Sequence, residues 1–213
     1  LLLGSALVLL FRRARRSNRA EMLARAMPLV AVAVIAFTLI SRSVEGVHRW
    51  VAVGTLYVNA SEAFAPWLLL GFTSRASRVR TTTAVLVAGV QILHVAQPDA
   101  AQATALVAGA LPLVASPSVV KRGVGLPIAL IALACCVVAW LRPDPLSPVD
   151  HVERILLLTA AKGMAWSVAA IAAGVCLFVP FVLEGRRARF GVASALFLAA
   201  MFAATFAGNF PVP

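Results

Sequence analysis

Arg49, Glu62, Asp99 and Glu153, together with His48, His94 and His151, are the groups best able to do chemistry in a chain of 213 residues that is otherwise 62% hydrophobic. A positioned carboxylate can take a proton from a hydroxyl, and a fixed cation can hold a departing phosphate. Each group also has a plainer role. Arg49-Trp50 can be an interfacial snorkel and aromatic anchor. Ser61-Glu62 can cap a helix, with Ser at the cap position and the acid in the first turn. Gln97-Pro98-Asp99 is a turn and cap signal, and Glu153 suits the start of a helix through the macrodipole. His151 can steer an acceptor hydroxyl or sit in a wet loop. Lys162, one helical face along from Glu153, can pair with a lipid phosphate or with Glu62.

The three histidines raise a haem reading, because imidazole is a common axial ligand. They fall at the ends of different apolar segments, and none is paired within one. Cys135 and Cys136 are adjacent in one apolar run and Cys176 lies in another, a spacing that fits neither a metal set nor a disulfide framework. They read as small buried hydrophobes.

The elements that must position these groups are membrane segments. Only 13% of the residues are charged, and the mean hydropathy is +0.94, beyond the range of a soluble domain. Apolar runs recur near residues 1–11, 27–40, 63–72, 84–95, 103–120, 125–141, 153–184 and 190–207. Lipid leaves no water to satisfy open backbone, so such runs predict helices. The expected fold is all-α, a polytopic bundle of about eight membrane segments in one transmembrane domain over 1–213, incomplete at both ends. The Arg cluster after residues 1–11 argues against a signal peptide, which carries its basic residues first.

The net charge of +11 invites a nucleic-acid partner. Its placement argues against one. The basic residues crowd into the short links at 12–25, 75–80, 121–122 and 186–189, where they set orientation and meet anionic lipid. With those links on the cytoplasmic side, the other side receives Glu45, Glu62, Asp99, Asp144, Asp150 and Glu153, six of the eight acids. The groups able to do chemistry then share the extracytoplasmic face.

Gly46-x-x-Arg49-Trp50-Val51-x-Val53-Gly54-x-Leu56 followed by Ser61-Glu62, the turn Gln97-Pro98-Asp99, the segment Pro148-x-x-His151-x-Glu153, and Asn209-Phe210-Pro211 occur in that order. Together they resemble the landmarks of the SEDS family, the FtsW, RodA and SpoVE proteins of bacterial cell-wall synthesis. The resemblance covers about residues 27–213 and implies a ten-helix fold, of which the segments here correspond to the second through the ninth. It implies a multi-pass protein of the bacterial inner membrane that polymerises lipid II, the undecaprenyl-pyrophosphate disaccharide-peptide, by inverting glycosyl transfer. On that basis Glu153 is the catalytic base, and Arg49, Trp50, Ser61, Glu62, Gln97, Asp99 and His151 contact substrate. A divalent cation such as Mg²⁺ is the one cofactor such a reaction invites, and membrane lipid and a membrane-anchored protein are the expected partners.

The chain also departs from the family pattern. Asn59-Ala60 replaces Gln-Pro, Ala65 stands at a Lys position, Ala100-Ala101 follow Asp99 where a Gly is expected, and Glu153 stands for a catalytic Asp. The outer loop before His151 is reduced to about residues 142–150. These departures keep a second function open, a non-catalytic scaffold that holds a partner through its helices. Ala169, Ala170, Ala172, Ala173 and Gly174 form the small-residue stretch that would allow close packing.

Overall fold

The computed structural model describes residues 18–143, 146, 155–185, 192–194 and 196–200. Helix α1 spans Asn18–Phe37 and runs on through a 3₁₀ turn, Thr38–Ile40. Strands β1, Trp50–Val53, and β2, Leu56–Asn59, precede α2, Ala60–Leu70, which ends in a second 3₁₀ turn, Gly71–Thr73. Then follow α3, Ser77–Ala96; α4, Ala100–Val114; α5, Arg122–Leu141; α6, Ile155–Lys162; and α7, Met164–Gly185.

Among the described residues three helices are long and apolar enough to cross a membrane: Arg19–Ile40, Ser77–Ala96 and Arg122–Leu141. At 1.5 Å per residue, twenty residues match a hydrocarbon core of about 30 Å. The 11 residues of α2 and the 15 of α4 reach only about 16 and 22 Å. The expected apolar runs at 63–72 and 103–120 are therefore short helices packed between longer ones. Gly125 lets α5 approach the end of α4, since a Cβ there would strike the Val114 carbonyl. The core they share is built from Ile35, Leu68, Leu69, Val87, Leu106 and Phe197.

Two expectations are corrected. Residues 46–62, which an all-α fold leaves as a link between the runs at 27–40 and 63–72, contain an antiparallel hairpin at 50–59, with Trp50 opposite Asn59 and Val53 opposite Leu56. Val51, Val53, Val58, Trp50 and Tyr57 are of strand-favouring types, and Gly54 takes the positive φ of 63° that a two-residue hairpin turn needs. The run at 153–184 is not continuous, because Gly163, at φ 128°, separates α6 from α7. The expected run at 1–11 lies outside the described residues.

The bundle has two chemically different ends. At one, Glu21 accepts hydrogen bonds from Ser74 Oγ at 2.6 Å and the Arg75 amide at 3.1 Å, and Arg80 Nε donates to the Val119 carbonyl at 2.8 Å. These bonds gather the basic links around 19–25, 75–80 and 119–122. At the other, the end of α1, the hairpin and the turn between α3 and α4 meet.

Candidate functional site: a buried polar cluster at the hairpin end

Arg49 reaches this site because a tight turn delivers it. Val44 and Val47 exchange backbone hydrogen bonds of 3.0 and 2.9 Å across Glu45 and Gly46, both at positive φ, 51° and 82°. His48 Nδ1 then lies 3.2 Å from the Thr38 carbonyl, and Ser41 Oγ lies 2.9 Å from the Trp50 carbonyl. After the hairpin, the Ala60 amide donates to the Arg49 carbonyl at 3.1 Å. The chain thus leaves and returns at Arg49.

The Arg49 side chain is 6% exposed. Its Nε donates to the Gln97 carbonyl at 3.0 Å, Nη2 donates to the Pro98 carbonyl, and Nε lies 3.9 Å from Asp99 Oδ2. Asp99 Oδ1 caps α4 by accepting the Gln102 amide at 3.1 Å. One carboxylate therefore serves a helix N-terminus and faces a buried guanidinium. Gln97, 1% exposed, donates through Nε2 to the Ile35 carbonyl at 3.2 Å and to Thr38 Oγ1. Arg49, Gln97 and Asp99 are thus one unit linking α1, the hairpin segment, α3 and α4.

Ser61 and Glu62 begin α2, but the cap is Asn59, a correction to the expectation that Ser61 serves. Asn59 Oδ1 accepts the amides of Ser61 at 3.0 Å and Glu62 at 3.1 Å. The Asx geometry of a residue just before the helix outcompetes the serine. Ser61 is thereby released to face inward, with its Oγ 3.0 Å from His94 Nε2. His94 Nδ1 lies 3.3 Å from Gln91 Oε1, and Gln91 Nε2 donates to the Ala103 carbonyl at 2.9 Å. The last bond fixes the Gln91 amide and so the rest of the chain. Gln91 Oε1 must accept, His94 carries its proton on Nδ1, and the Ser61 hydroxyl donates to Nε2.

A Ser-His-Gln series suggests nucleophilic catalysis, and its surroundings argue otherwise. Ser61 is 1% exposed and His94 is fully buried, and the first amides of α2 are already taken by Asn59. The series joins α2 to α3 and α4. The spacing of Gln91 and His94 in an apolar helix was the available sign, because residues three apart share a helical face and polar groups in such a helix turn inward.

Glu62 stands exposed at the rim of the cluster. Desolvation by the protein around it and then the negative charge of Asp99 push its carboxyl above the ordinary range. Solvent screening keeps the effect small. Trp50 contributes its carbonyl to Ser41 and is half-buried in β1. Glu153 and His151 lie outside the described residues. Lys162 occupies the last turn of α6. Cys135 and Cys136 are half-buried, whereas Cys176 is exposed, not a buried hydrophobe, because its side chain faces out from α7. Among the described residues no three His, Cys, Asp or Glu side chains gather as a metal site requires. Those side chains do not by themselves form a divalent-cation site.

Arg49 and the Gln97–Asp99 turn come from separate parts of the sequence and meet in one buried unit, with Ser61 and Glu62 at its edge. The sequence matches no family model, and no curated protein and no solved structure matches the chain.

Proposed function

We propose that this chain is a SEDS-like integral membrane protein of bacterial cell-envelope synthesis, related to the glycosyltransferases that polymerise lipid II. Its polytopic bundle sits in the inner membrane with the basic links on the cytoplasmic side, so that the Arg49 cluster lies on the outer face. The observation that carries this reading is the contact of Arg49 with Gln97, Pro98 and Asp99. Two of the sequence landmarks, 48 residues apart, depend on each other in space, as parts of one site would.

In the catalytic form of the reading, Glu153 takes the proton from the acceptor sugar hydroxyl. Arg49 supplies positive potential toward the departing pyrophosphate. Glutamate in place of aspartate moves the carboxylate by about 1 Å, enough to cost about 10²-fold in rate. The test is polymerisation of labelled lipid II by the full chain in liposomes with Mg²⁺ or Mn²⁺. Glycan product that disappears in Glu153→Ala supports the catalytic form, and absence of product under both metals contradicts it.

A non-catalytic scaffold is the second reading, favoured by the burial of Arg49 against two carbonyls and of Ala65, which is 0% exposed in the core. In that form Glu153→Ala leaves cell growth and shape unchanged, whereas bulky residues at Ala169 or Ala173 disrupt partner binding.

A further inference from the structure

We infer that the hairpin β1–β2 is an interfacial anchor, lying in the headgroup zone of the bilayer at the Arg49 end of the bundle. From Trp50 to Ser61 the chain carries no charged residue. Near the tip, Val53 is 62% exposed, Leu56 68% and Tyr57 52%. The register sets Val53 beside Leu56 on one face and Ala52 beside Tyr57 on the other, since successive residues alternate across a strand. Apolar groups therefore project from both faces. A protein partner packed on one face would leave the other in water, whereas lipid covers both. The hairpin base is tied to the end of the candidate span Arg19–Ile40 through the Ser41 Oγ bond to the Trp50 carbonyl, and Ile40 beside it is 80% exposed.

The backbone sets the depth. A two-stranded ribbon has open edges, and their amides and carbonyls cannot be left in hydrocarbon. The headgroup zone supplies water and polar groups to those edges, and it is where Trp and Tyr collect. Because Arg49 and Ser41 bond to the base of the ribbon and to the turns beside it, the anchor fixes the height of the buried cluster at the membrane boundary.

This inference rests on the membrane placement of the bundle and not on the cell-wall assignment. The full chain, with Cys135, Cys136 and Cys176 changed to Ala, is given a single cysteine at Leu56, at Val53 or at Val137, which is exposed on α5. Each is labelled with a nitrobenzoxadiazole fluorophore in phosphatidylcholine–phosphatidylglycerol vesicles containing lipids brominated at shallow or deep acyl positions. The Val137 label, quenched by deep bromine, reports that the helices are embedded. The expected result is that the Leu56 and Val53 labels are quenched severalfold more by shallow than by deep bromine and are shielded from aqueous iodide. Quenching by iodide with no effect of bromolipid overturns the inference. So does protection from both quenchers, which would put protein over the hairpin. Lipid II polymerisation bears on neither outcome.

Discussion

Arg80 and Arg49 sit at opposite ends of the same bundle and do similar geometry under different conditions. Each donates to carbonyls far away in sequence. Arg80 reaches Val119 at 2.8 Å, with Ser74 and Arg75 at 2.9 Å, on a half-exposed surface among other cations. Arg49 reaches Gln97 and Pro98 while 6% exposed and next to Asp99. Water can replace the contacts of the first arginine but not of the second. The basic end is therefore tolerant, while the hairpin end is a buried electrostatic unit whose parts stand or fall together.

The largest break in this contrast is Arg49→Ala. It leaves the Asp99 carboxylate buried without its cation and two carbonyls without a donor, so it destabilises by about 3–5 kcal/mol, read by denaturant titration in detergent micelles. Next is His94→Ala, which strands Ser61 Oγ and Gln91 Oε1 in the core. The expected loss is about 1–3 kcal/mol, with partial recovery in His94→Asn if the side-chain bonds, and not volume alone, carry the effect. At the other end, Arg80→Ala should cost only about 1 kcal/mol, since water replaces it, and a loss as large as that of Arg49→Ala would erase the distinction.

The smallest effect is at Glu62. Its carboxyl titrates higher in the folded chain than in the unfolded one, so the folded state binds more protons just above the ordinary carboxylate range. Stability therefore falls as pH rises through that window and is level above it. Glu62→Gln should flatten this slope and slightly raise stability at neutral pH. An unchanged slope in the variant would show that neither desolvation nor the Asp99 charge raises the Glu62 carboxyl in the folded chain.

Much of the architecture was legible from where charge and apolarity alternate. The links holding Arg75, Arg78 and Arg80, and Lys121 and Arg122, mark the starts of α3 and α5, and Asp99 caps α4 as its turn chemistry predicts. The hairpin was hidden because Trp50–Asn59 sits between apolar runs, where strand propensity depends on context and not on the residues alone. The Asn59 cap was hidden because Ser61-Glu62 offers the same kind of signal two residues later. The break at Gly163 lay inside an apolar stretch in which a lone glycine is usually tolerated. In the site, the joining of Arg49 to the Gln97-Pro98-Asp99 turn required tertiary structure, since nothing local pairs residues 48 apart.

Arg49 and Asp99 act as one buried unit joining the hairpin segment to the α3–α4 turn. The direct test is a double-mutant cycle with Arg49→Ala, Asp99→Asn and the pair, each measured by unfolding in the same micelles. The structure predicts a coupling above about 1 kcal/mol, with the double variant much less damaged than the sum of the singles. Additivity within about 0.5 kcal/mol would contradict it.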